Sequence, residues 1–223
     1  FANKENLYKI KDNQTYDGNT FTFDATPGLL AQSIKAEIPG IKNTARATWG
    51  NQSLFTLNDK NIFENGLYVD SSFLSMFQLR FIRGNASSAF EQLHSMVISK
   101  KMADQFFGSE DVIGKILKVD NKQEYMVSGV FEDLPENVSF KFDWLSPFDN
   151  YLENNQWLKQ WGNNGIPTYV EVEPNANIAA INKKLHNYLE TKGPNLNAKF
   201  SIYPMTRWRM YDSFENGKEV PGR

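Results

Sequence analysis

The sequence predicts an α+β fold. Three patterns carry the assignment: a strand–helix–strand run near the start of the chain, a second one near its end, and between them a phenylalanine-crowded stretch of different character. Helices with one apolar face, laid over a mixed sheet, give an α+β layer arrangement. Two similar ends around a different middle imply a discontinuous domain of residues 1–66 and 160–223, with a small α/β insert at 67–159. The order of strands is not readable from pattern.

In order, Leu7-Tyr8-Lys9-Ile10 alternates as a half-buried strand does, and Phe21 and Phe23 repeat the alternation. Thr26-Pro27 reads as a helix start, hydroxyl cap then proline, before Leu30, Ile34 and Ile38 at spacing four. Pro39-Gly40 ends that helix, and a strand follows from Ile41 to about Trp49. Leu54 to Leu57, a polar turn at 58–61 and a strand reaching Val69 form a hairpin. A short helix carries Phe73, Leu74, Met76 and Phe77, followed by strand-like Leu79–Ile82 ending at Gly84-Asn85, then Met96–Ile98. Ser99 caps a helix with Met102, Phe106 and Phe107, closed by Gly108. Lys115–Val119 and Tyr125–Phe131 read as a hairpin about Asp120-Asn121-Lys122, and Leu134-Pro135-Glu136-Asn137 breaks the run. Thr168–Val172 alternates. Asn177 caps a helix whose stripe is Ile178, Ile181, Leu185 and Leu189, ended by Gly193-Pro194, and Phe200, Ile202 and Tyr203 make a last strand.

Composition bounds the function. The chain has 223 residues, 40% hydrophobic and 14% aromatic, which fits a folded protein rather than a disordered one. A net charge of −2 with both signs scattered lacks the basic stripe of a nucleic-acid binder. Lys100-Lys101, Lys183-Lys184 and Arg207 with Arg209 read as solvated faces. With no cysteine there is no disulfide, thiol catalysis or cysteine-ligated metal. No apolar run of transmembrane length and no signal peptide is present, and the chain opens at Phe1 without Met, as an excised fragment would.

A linear series of motifs then narrows the reading: Gly66-Leu67-Tyr68-Val69-Asp70-Ser71-Ser72-Phe73-Leu74-Ser75-Met76-Phe77, Arg83-Gly84-Asn85, Val97-Ile98-Ser99-Lys100-Lys101-Met102-Ala103-Asp104-Gln105-Phe106-Phe107-Gly108, Asp111-Val112-Ile113-Gly114-Lys115 and Val127-Ser128-Gly129-Val130-Phe131-Glu132-Asp133-Leu134-Pro135. In order and spacing this series resembles the periplasmic core domain of MacB-like and FtsX-like ABC transporter permeases. Thr26–Leu30, Glu37–Ile41 and Thr168 through Leu185 fit the same resemblance. It implies a porter-like, membrane-proximal domain built from both chain ends, with a Sabre-like α/β insert, on the extracytoplasmic side of a bacterial inner membrane. It further implies transmembrane helices outside this segment, a cytoplasmic ATPase that drives the permease, a second permease copy, and a periplasmic or outer-membrane partner. The domain itself would bind no ATP, and it has no Gly-x-x-x-x-Gly-Lys-Ser/Thr loop.

Chemistry is sparse. His94 and His186 read as packing or surface residues and lack zinc-site spacing. Glu110-Asp111 reads as a helix-start charge, and Glu132-Asp133 as a strand end. Asp120, Asn121 and Glu124 lack the acidic loop of a calcium hand, and no Gly-x-Ser-x-Gly elbow occurs. Neither a cofactor nor a catalytic residue is assigned. Sequons at Asn13, Asn51, Asn85 and Asn137 read as coincidental in a bacterial permease.

Trp144, Trp157, Trp161 and Trp208 are the more informative set. Trp157 and Trp161, four apart, share one face if helical, either as a packing stripe or as an aromatic edge that meets a partner. Two functions follow. The first is a non-catalytic permease ectodomain that carries ATP-driven motion to efflux, lipoprotein release or signalling. The alternative is a secreted binding module for glycan or protein that uses the Trp157/Trp161 face.

Overall fold

A computed structural model describes residues 3–108, 111–135, 138, 141–208 and 213–220. Glu110, the Glu136-Asn137 turn with its sequon, and Arg209 lie outside the described residues.

In chain order the elements are β1 (Leu7–Tyr16), β2 (Asn19–Phe23), β3 (Thr26–Pro27), α1 (Leu30–Glu37), β4 (Ile41–Arg46), β5 (Asn51–Leu57) and β6 (Lys60–Val69). Next come α2 (Ser72–Met76), β7 (Phe81–Arg83), β8 (Ser95–Ser99), α3 (Lys100–Phe107), β9 (Ile116–Val119), β10 (Gln123–Phe131), β11 (Trp144–Pro147) and α4 (Phe148–Glu153). The chain closes with β12 (Asn164–Ile166), β13 (Thr168–Val172), α5 (Ile178–His186), β14 (Lys199–Pro204), β15 (Ser213–Glu215) and β16 (Lys218–Val220).

These elements form two compact units, residues 1–46 with 155–223, and residues 47–154. The boundaries differ from those expected at 66 and 160, for a reason set by pairing. β5 and β6 pair from Asn51↔Gly66 to Leu57↔Lys60, and β6 then runs parallel to β11 through Trp144↔Gly66 to Pro147↔Val69. Residues 47–66 therefore belong to the sheet of the second unit. Leu158, buried within residues expected in the insert, lies over Gly28 of the first unit.

The first unit is an antiparallel sheet in the order β14-β1-β13-β4, with β2 continuing along β1 where β13 stops. One face carries Ile10, Val170, Val172, Phe200 and Ile202 against Leu30 and Ile34 of α1 and Ile181 and Leu185 of α5. Each such burial is worth about 1.5–3 kcal/mol. Asn177 caps α5 as expected, its Oδ1 accepting the Ala180 N–H at 3.0 Å. Thr26-Pro27 does not start α1. The pair forms β3 against β12, the Thr26 hydroxyl bonds to the Ile166 carbonyl and the Thr168 hydroxyl, and α1 begins at Leu30 with no side-chain cap.

The second unit is a seven-stranded mixed sheet in the order β7-β10-β8-β11-β6-β5-β9, and β9 also pairs with β10. On one face Phe55, Met96, Ile98, Val127 and Trp144 pack on Met102, Ala103 and Phe106 of α3. A second set of side chains meets α2, where stacked Phe73 and Phe77 join Phe131 through Phe142. Covered on both faces, the central strands β8 and β11 are buried at every residue. Trp144 is 1% exposed, and its ring occupies the space a side chain at Gly66 would need, with a Cβ there 2.2 Å from the indole. The hairpins at 58–59 and 120–121 form as the sequence predicts, with Asn58, Asp120 and Asn121 at positive φ.

Candidate contact surfaces

Trp157 and Trp161 do not share a helix face. The helical turn spans only Gln156–Lys159 and is 3₁₀, and the chain turns extended at Gln160, so spacing four no longer sets a common direction. Trp157 is 44% exposed; its Nε1 donates to Asn155 Oδ1, and its ring lies on Gly165, where a Cβ would come 2.2 Å from the indole. Trp161 is half-buried. It packs on the core of the first unit, edge-on to Tyr188, with the Lys192 ammonium 5.3 Å above its ring. Of the two, Trp157 offers the more ring surface to a partner, and Trp49 is exposed as well, at 51%. Trp144 and Trp208 are both buried.

A second aromatic surface went unread in the sequence. Phe21 and Phe23, expected half-buried, are 51% and 43% exposed, and Tyr16 is 57% exposed. Register explains the row. Phe23 lies opposite Asp12, Phe21 opposite Gln14 and Asn19 opposite Tyr16, so all project from the sheet face that carries Ile10, beyond the cover of α1 and α5. Tyr16 and Phe21 lie 6.4 Å apart by ring centroid, and Phe21 and Phe23 6.5 Å.

The opposite face of this sheet holds charge. Lys9 and Lys11, both buried, bind the two oxygens of Asp24 at 2.9 and 2.7 Å. Their ammonium groups also face aromatic rings, Lys9 under Trp208 at 5.5 Å and Lys11 under Phe214 at 4.7 Å. On the Ile10 face, Asp12 is fully buried; it accepts from Gln14 at 2.6 Å and Asn164 at 2.9 Å through Oδ2, while Oδ1 has no hydrogen-bond partner among the described residues. Burial pushes its carboxyl up to about 6, against the opposing hydrogen bond from Gln14. In the second unit burial, with the Asp143 carboxylate next, holds Glu64 above the usual carboxylate range.

Helix α3 is the best-built local element and borders two cavities. Ser99 caps it, Oγ accepting the Met102 N–H at 3.1 Å, and Asp133 accepts the Lys101 N–H at 2.8 Å. Gly108 closes it at φ 65°, and Lys60 donates to the Gln105 and Phe106 carbonyls. A cavity of about 350 Å³ lies between α3 and β7, and one of about 370 Å³ between the end of α3 and the 57–60 turn. The residues weighed for catalysis hold structural places. His94 meets Tyr125 edge-on, His186 is exposed, and Asp120 Oδ1 accepts the Leu54 N–H. Asn85 forms a local turn with Ser87 and Ser88. Signals for the missed features were present in part. Tyr16, Phe21 and Phe23 flank an Asp17-Gly18 turn, which marks a hairpin with aromatics near its end, whereas nothing in Lys-Ile-Lys-Asp announces that both faces of β1 are covered.

Two units built on sheets with helices on their faces define an α+β domain, and among the described residues no helix is long and apolar enough to cross a membrane. The chain belongs to the MacB-like periplasmic core domain family, whose sequence profile matches residues 1–188, and it is an extracytoplasmic domain of an ABC transporter permease of the MacB and FtsX-like kind. It is similar to a domain of a permease protein from Porphyromonas gingivalis, at 26% identity and TM-score 0.76, covering 92% of each chain. The periplasmic region of MacB from Actinobacillus actinomycetemcomitans shares the fold at 15% identity and TM-score 0.67, covering 92% of this chain and 91% of that one. The extracellular domain of the noncanonic ABC-type transporter YknZ from Gram-positive bacteria does so at 17% and 0.64, covering 89% and 100%. None of the curated proteins matches the chain.

Proposed function

We infer that the chain is the non-catalytic part of its transporter that carries ATP-driven movement outward. The family match over residues 1–188 carries this reading. In it, the unit of residues 1–46 and 155–223 is the membrane-proximal, porter-like body, and the unit of residues 47–154 is the insert. Hydrolysis takes place in a cytoplasmic ATPase, and two permease copies work together. Two separately cored units suit the task, since each moves as a body while its own sheet stays intact. The work done outside is efflux, lipoprotein release or signal relay. Trp157 and the Tyr16/Phe21/Phe23 row, with exposed Trp49 and Phe63, are surfaces available to a periplasmic partner, because exposed aromatic rings are what interface centres bury.

The test replaces the chain by a short linker in the parent permease and reconstitutes it with its ATPase. The expected result is ATP hydrolysis that persists while export or signalling is lost. Full function without the domain would refute the reading, and so would turnover of any substrate by the isolated domain.

A further inference from the structure

We propose that the groove between β7 and α3 binds an extended peptide segment of a partner protein, carrying one acidic side chain beside an apolar one. Strand β7 is the last strand of the seven-stranded sheet, and among the described residues it pairs only on its β10 side. An unpaired edge is a template for another strand, and partner peptides use such edges by adding to the sheet. Beside this edge the cover of α3 ends and the cavity opens, about 350 Å³, a volume suited to one or two side chains. Its floor is apolar: Ile82 is 37% exposed, above buried Ala103, Val112 and Val130.

Charge selects the occupant. Lys100 is held by Asp104 one turn on, so that pair offers no net charge. Arg83 has no carboxylate partner among the described residues, and its guanidinium donates to the carbonyl of Ile82 at 3.2 Å. A side-chain carboxylate from a strand laid along β7 would displace that weak local bond with a charge-assisted, two-pronged one. Asp111 lies in the same lining, its carboxylate engaged only by the Ile113 N–H, so a second negative charge would be repelled. The groove therefore favours a single acidic residue over an acidic run.

The proposal is separate from the permease reading, and failure of peptide binding would leave family membership untouched. The test titrates the isotope-labelled full chain with a short capped peptide of alternating threonine and valine bearing one glutamate, and with a counterpart bearing lysine instead. The expected result is saturable shifts at the amides of β7 and of the first turns of α3, slowed amide exchange on β7, and roughly tenfold weaker binding of the lysine peptide. Arg83→Glu should reverse that preference while the rest of the spectrum stays in place, since Arg83 is exposed. Absence of saturable shifts, shifts confined to other surfaces, equal binding of the two peptides, or an Arg83→Glu chain that keeps the original preference would each overturn it.

Discussion

The two units divide their aromatic residues differently between core and surface. In the unit of residues 47–154, Trp144, Phe55, Phe73, Phe77 and Phe131 are all under 2% exposed, and the sheet is covered on both faces. In the unit of residues 1–46 and 155–223, helices cover one stretch of one face, and Tyr16, Phe21 and Phe23 stand in solvent beyond them. The second unit also exposes Trp49 and Phe63 and the first buries Phe200 and Trp208, so the contrast is between a large aromatic core and a contiguous exposed row. Burial is also differently charged. The first unit keeps Lys9, Lys11, Asp12 and Asp24 inside or nearly so, where removing one partner leaves a desolvated charge behind.

Substitutions can break or sharpen this contrast. The largest effect is expected at Trp144→Ala, which empties the centre of the second unit and frees the Glu64 carbonyl bonded by the indole at 3.1 Å. Thermal or urea unfolding should show a loss of about 3–5 kcal/mol. Gly66→Ala should cost about 1–3 kcal/mol by overpacking the same ring and the Trp144 carbonyl, and the double substitution should be less than additive because removing the ring relieves that part of the clash. In the first unit, Asp12→Asn should act through pH. The fold raises this carboxyl from the ordinary 3.8 to about 6, so the neutral form is favoured in the folded state. Stability is then fully present below pH 4 and falls as pH rises to about 6, by about 3 kcal/mol in all. The asparagine variant should lose this slope, and its amide meets a patch where Asn164 Oδ1 is itself buried without a partner. An unchanged slope would mean that another group sets it. The smallest effect is expected at Phe21→Ser with Phe23→Ser, within about 0.5 kcal/mol each, because exposed rings contribute little to folding.

What the sequence disclosed follows from how local each determinant is. Ser99, Asn177 and Gly108 were legible because a cap acts within one helical turn. The 58–59 and 120–121 turns were legible because their Asn and Asp residues tolerate positive φ. Strand β11 was not, since Trp-Leu-Ser-Pro is buried on both faces and carries no alternation. Alternation in Phe21-Thr22-Phe23 identified a strand and its two faces, but which face is covered depends on where distant α1 and α5 stop. Lys9 and Lys11 looked like the wet side of a strand, and residues nearly 200 positions on supply their cover. The Trp157/Trp161 pair shows the reverse error, a correct spacing on a segment too short to be an α-helix. Family membership was legible because a series of short motifs survives uncertainty about every individual element.

The central claim is that this domain moves when ATP is used across the membrane. This domain has no cysteine, so once the rest of the transporter is made cysteine-free each introduced thiol is a unique label site. Spin labels at Thr15→Cys in the first unit, and separately at Lys122→Cys in the second, would report distances between the two copies in the intact transporter with its ATPase. The account predicts distance distributions that differ between the nucleotide-free and ATP-bound states at one or both sites. Identical distributions at both sites in every nucleotide state, in a transporter that is exporting, would contradict it.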